Sequence, residues 1–341
     1  MDTVLSEPGM SRLTGAPKWM WVLSIALVVS LAGALGIVRA TQAQLDEVTR
    51  VVAVTEALSQ PSAQVENILL VGSDSREGAD PNDEDFDTTG PVDVTPGMRS
   101  DTLIVVRIDK ANNDIALMSV PRDLWVKIGD GEKFAKINAA YSNGPDVLVR
   151  TVQRALNIPI HQYVEINFAG FKTIVDAIGG VNVCVPHISR DKATGFYIGR
   201  KGCKLLDGTQ SLAYARSRYL EQKIDGKWVM DRTGDTGRGE RQRAFISALA
   251  KDAVRYLARH PLKTHVVLDA VTSAMTVNVG LDVLDTGQKL RALGTGDTLS
   301  YALPVSSEML NDNFIFRLSR DAAPVLAYFA GLGPVPAADD D

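Results

Sequence analysis

Two short stretches, "LAYARSRY" and "GRGERQR", bring Arg216, Arg218, Arg238, Arg241 and Gln242 near one another in sequence. Arginine keeps its proton at ordinary pH and presents a rigid fork of donors that suits phosphate oxygens. An extended 213–219 would put Tyr214, Arg216 and Arg218 on one face. A helix over 239–258 would set Arg238 at its start, where free N–H groups add donors for an anion. Lys136, in "KINAAY", is a further cation. Two readings stand side by side: a polyanion such as a diphosphate gathers these cations, or they form a basic face answering the acidic segment 77–97.

Carboxylates recur beside arginines at the ends of apolar runs. Asp74 closes "NILLVGSDSR", Arg99 and Asp101 open "RSDTLIVVRID", and Arg122 follows the proline of "SVPRDLWVKI". Ligands of open α/β sheets collect at such strand ends. A carboxylate beside a phosphate repels it unless a divalent cation intervenes. Asp74 and Asp101 therefore point to Mg²⁺ (or Mn²⁺) between carboxylate and pyrophosphate, and either could take the proton of an attacking hydroxyl. Other chemistries are excluded by spacing. No G-x-x-x-x-G-K-[ST] or G-x-G-x-x-G occurs, Ser73 lies in no G-x-S-x-G elbow, and no H-E-x-x-H is present.

The elements that must position these residues alternate along the chain. "VENILLVG", "DTLIVVRID", "DIALMSVP", "KINAAY" and "GVNVCVP" are short and apolar, with turn residues at their ends, and read as strands. "DVLVRTVQRAL", "FAGFKTIVDAIG" and "GERQRAFISALAKDAVRYLARH" read as helices. The alternation predicts an α/β fold, a three-layer α-β-α sandwich around a mixed central sheet. Segments 77–97 and 221–237 read as surface loops, and "AADDD" as a disordered tail.

Residues 19–38, "WMWVLSIALVVSLAGALGIV", carry no charge. As a helix they span about 30 Å, the thickness of a bilayer core. They are expected to form a transmembrane anchor; the alternative is a cleaved signal peptide. The segment predicts one N-terminal membrane helix with a cytoplasmic tail at 1–18, a stalk helix or linker at 39–63, an extracytoplasmic catalytic domain at 64–332 and a tail at 333–341. Cys184 and Cys203 are the only cysteines, and a disulfide between them suits an oxidising compartment. The net charge of -5 offers no bulk attraction to nucleic acid.

"NILLVGSDSR", "RSDTLIVVRID", "MSVPRDLWVKI", "KINAAYSNG", "LAYARSRY" and "GDTGRGERQR" come in the order found in LytR-CpsA-Psr proteins, which this chain resembles over about residues 64–258 and more loosely to about 330. The resemblance implies a membrane-anchored phosphotransferase of the bacterial envelope. Its donor is a polyprenyl diphosphate-linked glycan and its acceptor is peptidoglycan. It assigns Arg122, Arg216, Arg218 and Arg238, with Gln242, to the pyrophosphate. Asp74 and Asp101 fall to the metal or to the role of base, and Arg99 and Lys136 to support. The apolar helices around 146–180 and 242–258 would wall a polyprenyl tunnel. The cysteine pair and the long loop before "GDTGR" resemble actinobacterial members, which points to arabinogalactan or a similar polymer. Arg243, where the family usually has Gln, is expected to alter acceptor contacts. A non-catalytic lipid-binding scaffold and a lipid-diphosphate hydrolase are the competing functions.

Overall fold

The computed structural model describes residues 45, 47–74, 100–112, 114–296 and 298–337. The anchor 19–38, the tail 1–18, Arg76, Arg99, the acidic segment 77–97 and the end of the C-terminal tail lie outside the described residues.

The strands run in chain order as β1 (Thr49–Val51), β2 (Val65–Ser73), β3 (Ser100–Asp109), β4 (Ile115–Ser119), β5 (Trp125–Lys127) and β6 (Phe134–Lys136). Helix α1 (Pro145–Leu156) leads to β7 (Gln162–Ile166), then α2 (Phe168–Ala177) and the strands β8 (Val181–Val185), β9 (Ser189–Asp191), β10 (Phe196–Ile198) and β11 (Gly202–Leu206). Next come α3 (Gly208–Arg216), the pair β12 (Glu221–Ile224) and β13 (Lys227–Met230), and the long helix α4 (Gly234–Arg259). The chain ends through α5 (Thr264–Ala274), β14 (Met275–Asn278), α6 (Val283–Leu290), α7 (Ala292–Thr295), β15 (Leu299–Ala302), β16 (Val305–Leu310), β17 (Asn313–Leu318) and α8 (Ala323–Phe329).

Seven strands form the central sheet in the order β1-β14-β7-β2-β3-β4-β15. It is mixed: β2 is parallel to β7 and antiparallel to β3. Its middle strands are buried on both faces, which is why they read as continuous apolar runs rather than alternating ones. Leu69, Val71, Leu103 and Val105 pack against Leu148, Val149 and Val152 of α1. On the other face Ile68, Ile104 and Leu117 meet Ile246 and Ala250 of α4 and Leu290 of α6. Helices therefore cover both faces, as expected of a mixed α/β fold. A third apolar cluster joins α2, α3, α4, β8 and β10, with Val175, Tyr214 and Phe245 at its centre.

Local chemistry sets several boundaries. Gly144, at φ 121°, turns the chain into α1, and Pro145 opens that helix. Asn167 caps α2 by accepting from the Gly170 N–H, and Asp207 caps α3 by accepting from the Gln210 N–H. Cys184 and Cys203 face each other across β8 and β11 and are joined by a disulfide.

Four expectations are corrected. "KINAAY" is a strand only through Lys136; residues 137–143 form a 3-10 helix that buries Ile137, Ala140 and Tyr141. Residues 47–60 are no stalk helix: β1 pairs with β14, and Val48, Val54 and Ala57 are buried. The compact unit thus begins at Glu47, ahead of the expected boundary at 64. Segment 221–237 is the β12–β13 hairpin followed by the first turn of α4, not a loop. Residues 213–216 are helical rather than extended, so Tyr214 goes into the core. Among the described residues no helix is long and apolar enough to cross a membrane.

Candidate functional site

Three distant segments deliver guanidinium groups to one point. Arg122 stands where Pro121 has ended the run of β4, Arg218 follows the end of α3, and Arg238 lies in the second turn of α4. Arg122 Nη1 lies 2.6 Å from Asp101 Oδ1, and Arg218 Nη2 lies 3.5 Å from the same atom. Arg238 Nη2 donates to the Asp101 carbonyl at 3.1 Å. A second carboxylate closes the cluster: Asp235 Oδ1 lies 2.8 Å from Arg238 Nη2, 3.6 Å from Arg122 Nε and 3.7 Å from Arg218 Nε. Lys136 joins from outside by pairing with Asp123 at 2.9 Å, next in sequence to Arg122.

These charges perturb one another. Burial pushes the Asp101 carboxyl up, but Arg122, Arg238 and Arg218 outweigh it and hold the group below the usual aspartate range. Burial lowers Arg238 to about 10, with Arg218 and Arg122 adding to the fall and Asp235 and Asp101 opposing it. Arg122 Nε and Arg238 Nε are buried without a hydrogen bond. Polar atoms left so cost free energy, and here they surround one point.

The cluster sits on the rim of a cavity of about 400 Å³. Asp101, Arg216, Arg218, Arg238 and Gln242 line its polar end; Phe168, Phe171, Leu212, Phe245 and Leu249 line the rest. Gly72 forms part of its floor, where an added Cβ would come 2.9 Å from Thr102 Cβ. The β2–β3 register shifts between Gly72 and Ser73, and Ser73 then faces Ser100. Such a bulge re-aims side chains at a strand end, and it leaves Asp74 and Asp101 at the same end of adjacent strands. Gln242 Nε2 donates to Thr102 Oγ1 at 2.8 Å and to the Ala215 carbonyl at 3.1 Å, tying α4 to β3 and α3.

The LytR_cpsA_psr family model matches residues 36–328. This chain belongs to the LytR-CpsA-Psr family. It is 32% identical over 255 residues to the probable cell wall biosynthesis protein LcpB of Corynebacterium glutamicum, covering 72% of this chain and 57% of that protein. It is 32% identical over 227 residues to the polyisoprenyl-teichoic acid–peptidoglycan teichoic acid transferase TagU of Oceanobacillus iheyensis, covering 64% of this chain and 61% of that one. The matches thus span less than two thirds of these relatives. A LytR-Csp2A-Psr enzyme from Actinomyces oris has the same fold, with a TM-score of 0.61 at 23% identity over 83% of this chain and 95% of the other. Bacillus subtilis TagV matches with a TM-score of 0.57 at 26% identity over 80% of this chain and 100% of the other.

Against the residues read from sequence in this family member, Arg122, Arg218, Arg238 and Asp101 do meet, with Gln242 beside them. Arg216 lies on the cavity wall, its guanidinium 4.8 Å over the Phe168 ring. Among the described residues Lys136 meets the cluster through Asp123. Asp74 ends its strand beside Asp101, and its charge helps keep the buried Tyr141 hydroxyl protonated after burial itself and Glu165. Arg241 is structural, donating to the Ser217 carbonyl at 2.7 Å and pairing with Asp231 at 3.1 Å.

Two further expectations are corrected. Helix α1 does not wall the cavity, because its apolar face packs on the opposite side of the sheet. Arg243 is buried and donates to Ser119 and Ser300, so it braces α4 on β4 and β15 instead of reaching an acceptor.

Two carboxylates escaped sequence reasoning. Asp235 fell in the segment read as a surface loop; because α4 begins at Gly234, it stands one turn before Arg238. Asp191 is fully buried and accepts from Ser217 Oγ at 2.7 Å and from the N–H groups of Arg218, Tyr219 and Ala193 at 3.0, 2.9 and 2.8 Å. It holds the backbone that aims Arg218, and nothing local in "SRDKAT" marks it.

Proposed function

We propose that this protein is a membrane-anchored phosphotransferase that moves a glycopolymer from a polyprenyl diphosphate carrier onto peptidoglycan, outside the cell membrane. The observation that carries the reading is the focus of Arg122, Arg218 and Arg238 at the rim of an apolar cavity. A charged end and an apolar body suit a lipid diphosphate, whose phosphates would take the donors that Arg122 Nε and Arg238 Nε leave unused. Membership of the family and relatives named as polyisoprenyl-teichoic acid–peptidoglycan teichoic acid transferases support it.

In this reading an acceptor hydroxyl attacks the phosphorus that carries the glycan. A new O–P bond forms, the bond to the lipid-borne phosphate breaks, and polyprenyl monophosphate leaves. Arg122, Arg218 and Arg238 stabilise the charge that develops on the phosphoryl oxygens. Asp74 or Asp101 receives the hydroxyl proton, and Gln242 fixes the wall between cavity and cluster. Mg²⁺ or Mn²⁺ would be held by Asp74 and Asp101 and would neutralise the diphosphate. Few protein ligands are required, since such an ion uses one or two carboxylates plus substrate phosphates; among the described residues no group of three or more candidate ligands occurs. The donor glycan and the extracytoplasmic placement belong to the same proposal.

The test is reconstitution of the full chain with a polyprenyl diphosphate glycan and peptidoglycan fragments. A phosphodiester-linked product, lost on chelation of divalent cations, is expected. Lipid monophosphate without glycan attached to the acceptor would identify a hydrolase instead, and binding without either product a scaffold.

A further inference from the structure

A second, smaller sheet orders its strands β10-β9-β12-β13. Its register sets Tyr197, Arg190, Glu221 and Met230 in one row and Lys223 opposite Trp228 in the next. On that face Tyr197 is 59% exposed and Met230 51%. The row's one carboxylate is neutralised, because Arg190 Nε lies 2.6 Å from Glu221 Oε2 while its guanidinium stacks 3.8 Å over Trp228. In and beside the segments that carry these side chains stand exposed Lys192, Arg200, Lys201 and Lys223, with Asp225 and Lys227 at the hairpin tip. In a chain of net charge -5 this is a local reversal of sign.

The sheet is continuous with the cavity mouth. Ala193 and Thr194, in the turn between β9 and β10, line the cavity, as does Tyr219 just before β12. We propose that the outer face of this sheet docks on an anionic lipid bilayer, with Tyr197, Met230 and Trp228 entering the headgroup boundary and the lysines meeting lipid phosphates. This deepens the function proposed above and rests on it, naming the surface through which the cavity meets the membrane that carries its donor. Apolar side chains ringed by lysine are the pattern of interfacial binding. The same lysines, with Lys227 on the edge strand β13, oppose stacking on a second copy.

Because both native cysteines are disulfide-bonded, a single added cysteine labels selectively. The full chain carrying Met230→Cys with an environment-sensitive dye is reconstituted in phosphatidylcholine vesicles with and without phosphatidylglycerol. Phosphatidylglycerol is expected to raise dye emission about twofold or more, to add quenching by spin-labelled lipid and to remove quenching by iodide. Lys223→Glu reverses all three, while a dye at Met309→Cys, exposed on the hairpin β16–β17, stays aqueous. Equal iodide quenching at both positions in both vesicles overturns the proposal. So does protection of Met230→Cys that needs no anionic lipid, or that only peptidoglycan fragments produce. Turnover of a water-soluble short-chain donor, unchanged in the lysine variant, separates the two readings. If the parent chain fails to turn that donor over, the phosphotransferase reading fails while the dye result still decides the docking.

Discussion

Arg107 and Arg238 are both buried to within 4% of complete enclosure, yet they live differently. Arg107 spends its donors inside the fold: Nε on the Tyr328 carbonyl at 3.0 Å, Nη1 on the Tyr328 hydroxyl at 3.1 Å, Nη2 on Asp109 at 3.1 Å, with the ring of Tyr328 4.0 Å below. Arg238 has Asp235 and a carbonyl, a bare Nε, and two other arginines drawn to the same carboxylates. A buried cation with its donors matched is structure. Cations that crowd one another over too few acceptors await a charge from outside.

That contrast is broken most directly at Arg218. Its side chain is 30% exposed, and Asp101 and Asp235 keep Arg122 and Arg238 without it. Arg218→Ala is expected to fold normally and to lose about 100-fold or more in transfer from a polyprenyl diphosphate glycan. Full activity in a folded variant would remove the basis of the proposed function. Arg107→Ala should do the opposite, losing about 3 kcal/mol of stability by urea unfolding while the folded fraction keeps its rate.

How much of this was legible follows from where the information resides. The middle strands were readable because burial on both faces demands apolar, β-branched runs, as in "NILLVG". Arg122, Arg218 and Asp101 were readable because arginines and carboxylates recur at the ends of apolar runs, and the family resemblance drew them into one site; each alone reads as a turn residue. "KINAAY" misled because Ile137, Ala140 and Tyr141 also suit a helical face, and tertiary burial chose that one. The stalk misled because Thr49–Val51 finds its partner more than two hundred residues away in β14, a pairing no local pattern records. Asp191 and Asp235 were invisible for the same reason: their meaning comes from donors supplied by other segments.

Asp191 tests the middle ground, a buried carboxylate whose donors are matched but which serves the cluster. Burial pushes its carboxyl up, yet Ser217 and the backbone N–H groups of Tyr219, Ala193 and Arg218 bring it below the ordinary value. Asp191→Asn sets an amide against those donors. Stability is expected to fall by about 2 kcal/mol and donor KM to rise by about tenfold, with kcat changed less because Arg218 is displaced rather than lost. A variant equally destabilised with an unchanged KM would make Asp191 purely structural.

The smallest effect separates Asp101 from both classes by pH. Its folded carboxyl is depressed, so it adds stability that is complete above the unfolded value of about 4 and is lost as pH falls through the lower folded value. The stability difference between the parent chain and Asp101→Asn should therefore be flat above about pH 4 and shrink only below it. Had burial outweighed the arginines, the folded carboxyl would lie above the unfolded value and the sign would reverse, the parent chain losing stability as pH rises through that window. A difference that instead falls as pH rises above about 4 would mean that desolvation outweighs the arginines, and that the cluster is less tightly focused on Asp101 than its 2.6 Å contact with Arg122 implies.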